Sequence, residues 1–551
     1  MAFAILKNFF RQLRSDLNKA RSTLALVSSL PAFLREPGNL QNAENEIKQA
    51  LDSREDKFLE LMYTRVYQST ASPYFKLLKL AGCDYSDLHN HVRRRGLEKT
   101  LEQLASEGVY LTSDEFKGKK EVIRGKYHFR ISPADLETQD FTASFVAESS
   151  GSRNNPIQSR ISLDWLRIRA LGIGLFLQAH ELLSHAHAIY EPILPVSTGV
   201  NNLLYNAKLG IPTERWFARK IPINSRIEAG YHYSVTYLLV LTARLLGYNF
   251  PKPEFIEDGD IEAILRWVND KRTQGKACCI KTTASNAAQI ANRACQIGLS
   301  LKGAKFISGG EPFTEFKHEM IKRAGADAVT RYNYGGGLTV GLGCANPVYT
   351  DEVHVNQYIL AIIQQPKSLT VQDRVIRPLL CTTLHPSAPR LLLNVDNGDY
   401  AELLFRDCGC ALQRAGLALH LHHIRSYEKF TGEGMNYFYG DLFELLEKIL
   451  PCEFGGGPGD YQMVEEEDGT GQTRLTLVVD PEVGPLDEKM LLQTIRTAFS
   501  NGSRGNRFMT EVWESAGTFR ITRQKPHASR RGKILPLHIP RDQERRLERL
   551  I

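Results

Sequence analysis

Between residues 285 and 337 the chain runs helix, strand, helix, strand, and both strands end in glycine. SNAAQIANRACQIGLS (285–300) carries apolar residues at helical spacing, and KFISGGEP (305–312) is a strand running into Gly309-Gly310. TEFKHEMIKRAG (314–325) is a helix closed by Gly325, and DAVTRYNYGGG (327–337) is a strand entering a second glycine turn. Repeated helix–strand alternation predicts an α/β fold in which helices cover a sheet. Both glycine turns then fall at one edge, where ligands bind outside the strand ends.

The same texture begins near residue 140, after about 107 residues that read as helices with charged faces. Around 452–471 the chain turns Gly- and acid-rich, and a new unit follows: strand TRLTLVVD (473–480), helix LDEKMLLQTIRTAFSNG and a second strand pattern. The expected architecture is a large core of sheets covered by helices plus a small α+β C-terminal domain. Its 551 residues exceed one compact domain. The division is a helical extension over 1–71, a core over 72–425 and the C-terminal domain over 426–551.

The nine cysteines are thinly scattered and none has CxxC spacing, so spacing supports neither a disulfide framework nor a zinc ribbon and fits a reducing cytoplasm. A net charge of +7 is modest, and acidic residues interleave the basic C-terminus, which argues against a nucleic-acid surface. Phe3, Leu6, Phe10, Leu13 and Leu17 form an amphipathic helix, which reads first as packing on the protein itself and second as lying on a membrane surface. No run reaches the 18 or so apolar residues that span a bilayer.

Four segments carry chemistry. FVAESSGSRNNP (145–156) is a strand into Ser149-Ser150-Gly151-Ser152, whose hydroxyls and N–H groups suit phosphate oxygens. ISGGEP (307–312) lets backbone approach a flat ligand at Gly309 and Gly310, and Pro312 fixes the exit. Asp407, after the alternating run LLLNVDNGDYAELLF, offers a carboxylate to a ribose diol. ASRRGKILPLHI (528–539) is a basic turn in which Lys533 faces an anionic transition state. Each alone also reads as an ordinary turn, a surface aspartate or a surface lysine.

In this order the segments resemble the adenylate-forming superfamily, in its phenylacetate–CoA ligase-like branch with the acyl-protein synthetases. The resemblance runs from SPYFKLLKLAGCDYSDL (72–88) to the C-terminus. It implies an ATP-dependent ligase that joins a carboxylic acid to AMP, releases pyrophosphate, and passes the acyl group to a thiol or amine: coenzyme A, a carrier protein or a small amine. It implies ATP and Mg2+ as cofactors and a nucleotide site of Ser149, Ser150, Gly151, Ser152, Gly309, Gly310, Glu311, Pro312, Tyr332, Asp407 and Arg425. Arg425, in HHIRSYEKF (422–430), takes the place of the hinge arginine, and Lys533 that of the catalytic lysine on a mobile lid. Tyr231, Tyr233, Tyr237 and Phe313 hint at an aromatic acid, and a homodimer is compatible with the resemblance.

The chain departs from the pattern twice. Arg153-Asn154-Asn155 interrupt the phosphate loop, and Gly336 stands where the family has a metal-supporting glutamate, which nominates Glu352 or Asp351 as a replacement. These departures keep open a second class, a non-catalytic or nucleotide-sensing relative. HELLSH (180–185) spaces its histidines five apart, so they do not share a helix face as zinc ligands would. His420 and His422 share a strand face, as do Cys408 and Cys410, and both pairs are expected to pack.

Overall fold

The computed structural model describes residues 21–538 except 37, 39, 126, 139–142, 149–157, 220–225, 257–260, 335–336, 367, 372–373, 428–438, 468–472, 501–518 and 530–531. The amphipathic run at residues 3–17 and the loop Ser149–Ser152 therefore lie outside the described residues.

The core is built on one large sheet. Six strands run parallel: β1 (Ala186–Tyr190), β2 (Thr213–Arg219), β3 (Pro253–Ile256), β4 (Cys278–Lys281), β5 (Ala304–Gly309) and β6 (Asp327–Tyr334). Six more continue it antiparallel: β7 (Leu338–Gly343), β8 (Val353–Val355), β9 (Leu360–Gln364), β10 (Pro378–Thr383), β11 (Val395–Phe405) and β12 (Leu419–Ser426). Among the described residues the order across the sheet is β9-β10-β11-β12-β8-β7-β6-β5-β4-β1-β2-β3. Every residue of β4, β7 and β10 is buried, as expected for strands covered on both faces.

Helices α1 (Leu163–Ala179) and α2 (Thr198–Lys208) cover one face together with the N-terminal helices. Leu26, Leu30, Phe33, Ile47 and Phe58 join Leu166, Phe176, Leu203 and Val340 in one apolar cluster. Helix α3 (Arg226–Leu245) packs there through Val235, Leu239 and Val240. The other face is covered by α4 (Glu262–Thr273), α5 (Ala284–Gln296) and α6 (Glu315–Arg323), with Ile264, Trp267, Ile290 and Ile321 on Ile280 and Phe306.

Local chemistry sets these boundaries. Ser162, Thr283 and Thr314 cap α1, α5 and α6, each accepting a backbone N–H three residues on. Gly325, with φ of 85°, ends α6 in a conformation that costs a side chain dearly.

The C-terminal domain has its own core of Leu442, Leu446, Tyr461, Leu477, Leu491 and Ile495. Strands β13 (Tyr461–Glu467), β14 (Thr473–Val479), β15 (Phe519–Arg523) and β16 (Leu537–His538) form a sheet in the order β15-β14-β13-β16, beside helix α7 (Glu488–Ser500). A large helix-covered sheet and a small α+β domain are the architecture the sequence implies.

Candidate active site

Strands β1, β2, β4, β5 and β6 run parallel, so their C-terminal ends line one edge of the sheet, the candidate crevice. Tyr190, Arg219, Lys281, Gly309 and Arg331 stand at or near those ends. Arg219 Nε donates to the Tyr190 hydroxyl at 2.9 Å, Thr282 Oγ1 to Tyr190 O at 3.0 Å, and Asn286 Nδ2 to Thr282 Oγ1 at 3.0 Å. Gly309 pairs with Arg331 across the sheet, and a Cβ there would stand 2.9 Å from Arg331 O, so only glycine lets the two backbones approach. Gly310 follows with φ of 84°.

Glu311 does not face this opening. Its two oxygens accept from Ser285 N at 2.8 Å and Ser285 Oγ at 2.7 Å, and Lys317 Nζ lies 4.0 Å away. The GGEP turn is thereby pinned to the start of α5.

Tyr332, one residue beyond Arg331, meets a carboxylate that the sequence reading passed over. Its hydroxyl donates to Asp399 Oδ2 at 2.7 Å and accepts from Asn397 Nδ2 at 2.7 Å. Burial, and then the Asp399 charge, raises the Tyr332 hydroxyl well above its ordinary range, so it stays protonated and donates. The segment Asn397-Gly398-Asp399 bulges out of β11: these three residues, between Asp396 and Tyr400, oppose only Leu379 on β10. Gly398 supplies φ of 77°. The visible signal was this Asn-Gly-Asp inside an otherwise regular strand.

Asp407 lies elsewhere. It follows the far end of β11, eight residues or roughly 25 Å of extended chain from Asp399. There it accepts from Gln413 Nε2 at 2.8 Å. Glu352 is also remote, at the edge of the sheet opposite Gly309. Its side chain is fully buried, 2.6 Å from His420 Nδ1 and 2.7 Å from Arg406 Nη2, and it accepts the N–H groups of Val348 and Tyr349. Burial alone would raise its carboxyl, but these partners hold it at about 2. Every donor it could offer a magnesium ion is already committed, and its place is wrong.

Arg425 is the last residue but one of β12, before Ser426, the register partner of Asp399. Its Nη1 donates to Asp351 Oδ2 at 2.8 Å, and Asp351 also accepts the N–H groups of His423 and Ile424. The strands flanking Ser149–Ser152 pair antiparallel, and Glu148 N donates to Pro195 O at 2.8 Å, next to the end of β1.

The basic turn of the C-terminal domain reaches the same crevice. Gly532 has φ of 73°, and a Cβ there would stand 2.4 Å from Arg219 Nη1 and 2.5 Å from Asn286 Oδ1. Lys533 is half-buried beside it, with its N–H donating to Ser529 Oγ at 3.1 Å. Gly309, Gly310 and Tyr332 thus stand at the C-terminal ends of β5 and β6, and Gly532, next to Lys533, meets Arg219 and Asn286 near the ends of β2 and β4, whereas Asp407 and Glu352 lie elsewhere.

A cluster of buried polar side chains lies between α1, α2 and the β6–β7 pair. Arg169 Nη2 donates to Thr339 Oγ1 at 2.5 Å, and Thr339 Oγ1 to Asn333 Oδ1 at 3.0 Å. Arg169 Nε and Nη1, Tyr205 OH and Asn201 Oδ1 are buried without a hydrogen-bond partner among the described residues. Three of the four aromatic residues expected to hint at the substrate pack instead, and Tyr237 is exposed: Phe313 is buried under α5 and α6, Tyr233 lies 5.7 Å from Phe255, and Tyr231 meets Thr23.

The histidine pairs behave as packing groups. His180 Nε2 bonds Gly343 O at 3.0 Å, and burial lowers its pKa to about 4. His422 stacks on Tyr349 at 3.9 Å.

No family model matches the sequence, and no curated protein does. Among solved structures the chain is similar to a 2-hydroxyisobutyryl-CoA ligase in complex with 2-HIB-AMP and CoA, with a TM-score of 0.43 at 14% identity over 94% of this chain and 93% of that one. It is similar to the anthranilate CoA ligase AuaEII with anthranoyl-AMP, with a TM-score of 0.44 at 12% identity over 74% and 67%. A third is E. coli MenE with bound OSB-AMS, with a TM-score of 0.41 at 10% identity over 78% and 73%. The first two of these proteins are CoA ligases, each holding an acyl-AMP.

Proposed function

We propose that this chain is an ATP-dependent adenylate-forming ligase, in which residues 72–425 bind nucleotide and acid and residues 426–551 act as a lid. One observation supports this above the rest. A glycine turn, a tyrosine-held carboxylate and the lysine-bearing turn of a second domain converge where parallel strands end.

In this reading the flat base lies on Gly309-Gly310 and Tyr332, and Asp399 takes the ribose diol that Asp407 was expected to hold. An ionised carboxylate accepts both hydroxyls of a diol. Lys533 neutralises charge on the α-phosphate as the acid attacks it and pyrophosphate leaves, with Ser149–Ser152 on the phosphates. The acyl group then passes to a thiol or amine. Arg169 and Tyr205 give the acid pocket buried donors and Asn201 Oδ1 a buried acceptor, which suits a polar acid better than a purely apolar one.

Magnesium fits only as a companion of the nucleotide. Glu311 is committed to Ser285 and Glu352 is remote, so the described residues build no carboxylate cage at the crevice. Magnesium commonly arrives on phosphates with most of its waters kept.

ATP–pyrophosphate exchange over a panel of polar carboxylic acids tests the reading. Acid-dependent exchange that disappears in Lys533→Ala is the expected result. Tight nucleotide binding with no exchange for any acid would favour the nucleotide-sensing alternative, to which the glycine at position 336 points.

A further inference from the structure

At the sheet edge opposite the crevice, four side chains from distant parts of the sequence converge. Cys344 follows β7, His354 lies on β8, and Cys408 and Cys410 flank a glycine just after β11. The ligand atoms of all four lie within 4.8 Å of one another. Cys410 Sγ is 3.2 Å and Cys408 Sγ 3.5 Å from His354 Nε2. Cys344, His354 and Cys410 are buried and Cys408 is half-buried. A tetrahedral zinc site with Zn–S of about 2.3 Å and Zn–N of about 2.0 Å has edges of roughly 3.5–3.8 Å, so these atoms already stand near their places.

The surroundings prepare the same geometry. His354 Nδ1 lies 2.6 Å from Leu417 O, and a carbonyl only accepts. Nδ1 therefore carries the ring proton, and Nε2 turns its lone pair toward the sulfurs, the arrangement common to zinc-bound histidine. Gly409, with φ of 74°, lets Cys408 and Cys410 turn to the same side. Asn346 Nδ2 holds Cys408 O at 2.8 Å, and Gln413 bridges Gly409 N and Asp407, which gives Asp407 a place as a buttress of this turn. Arg406 Nη2 stands 3.6 Å from Cys344 Sγ.

We propose that Cys344, His354, Cys408 and Cys410 bind one zinc ion in a closed structural site. Three soft sulfurs and one imidazole select zinc over hard cations, and four protein ligands leave no position for a substrate. Each thiol loses its proton on binding, so zinc with three thiolates and a neutral imidazole carries one net negative charge, which Arg406 faces. Glu352 and His420 lie next to Cys344, but Glu352 is engaged by Arg406, His420 and two N–H groups, which leaves the sulfur-rich set as the site. The ion would tie the β7–β8 turn to the end of β11. The other end of β7 turns back to β6, which carries Tyr332, and β11 itself carries Asp399. The scattered cysteine spacing had argued against zinc; the site is assembled by the sheet, not by a local motif.

Metal content tests this without reference to the ligase reading. The full chain, purified under reducing conditions without a metal-affinity step, should carry about one zinc per chain by elemental analysis. Its cobalt-exchanged form should show thiolate-to-cobalt charge transfer. Cys408→Ser, at the half-exposed ligand, should lower zinc content by about tenfold or more while circular dichroism stays folded. Cys452→Ser, at an exposed cysteine outside the cluster, should keep the zinc. Reduced, folded protein that neither holds nor takes up zinc would overturn the proposal, as would iron in its place or a disulfide among these cysteines in metal-free protein.

Discussion

Asp399 accepts the Tyr332 hydroxyl at 2.7 Å from a bulge that Gly398 makes possible, so its carboxylate is fixed before any ligand arrives. A diol bound equally in ground and transition states affects KM more than kcat. Asp399→Asn should therefore lower kcat/KM for ATP by about 10–100-fold, mainly through KM, the loss expected for charged hydrogen bonds. Asp407→Asn should leave these kinetics unchanged, because that side chain bonds Gln413 in a turn at the other sheet edge. Steady-state exchange kinetics over a range of ATP concentrations would check both. Lys281 makes a second residue-level case. Burial, and then repulsion from Arg331, depresses its pKa to about 7, against about 10.4 in an unfolded chain. Between those values the unfolded state binds more protons, so this group makes stability rise with pH, by up to about 1.4 kcal/mol per pH unit. Lys281→Met should remove that rise, leaving a flatter difference between urea midpoints at about pH 7 and pH 9 than the parent shows.

Helix α6 joins the two domains through its first turn. Thr314 caps it and also donates to Glu447 Oε2 at 2.6 Å, while Lys317 pairs with Glu447 Oε1 at 2.8 Å. Lys317 is 1% exposed and Glu447 7%, so breaking the pair strands a buried ammonium whose next carboxylate, Glu311, is 4.0 Å away. Glu447→Gln should cost about 3–5 kcal/mol of stability by urea unfolding, and Thr314→Val should cost less. The start and end of α6 were legible, because Thr314 and Gly325 act on their own neighbours. So was the Gly309-Gly310 turn, whose conformational need is local, whereas Gly335 and Gly336 lie outside the described residues. Glu447 was not, since its partners lie 130 or more residues earlier. Asp399 and the Cys344–Cys410 cluster escaped for the same reason. Asn-Gly-Asp inside a strand reads as a hairpin turn until β10 and β12 are seen to pair across it, and Cys408 gains meaning only when β8 brings His354 beside it.

For the molecule as a whole, the question is which half of the reaction this arrangement of the two domains serves. Gly532 packs so closely on Arg219 and Asn286 that a methyl group cannot enter without moving one of them. Its φ of 73° adds a cost of about 1–2 kcal/mol for any L side chain. Both penalties apply with the basic turn against the crevice, whereas only the second follows the turn when the lid swings away. Gly532→Ala should therefore disfavour the present arrangement more than the fold of the lid. With Lys533 beside the crevice, this is the arrangement in which the α-phosphate would be attacked. The variant should accordingly slow adenylate formation, measured as pyrophosphate release in a single turnover, by about tenfold or more. Consumption of a preformed acyl-adenylate with acceptor should stay close to the parent rate, because the lid must leave this position for that step. Equal slowing of both halves would mean that Gly532 serves the stability of the lid alone, and faster adenylation would mean that the attacking state is a different one.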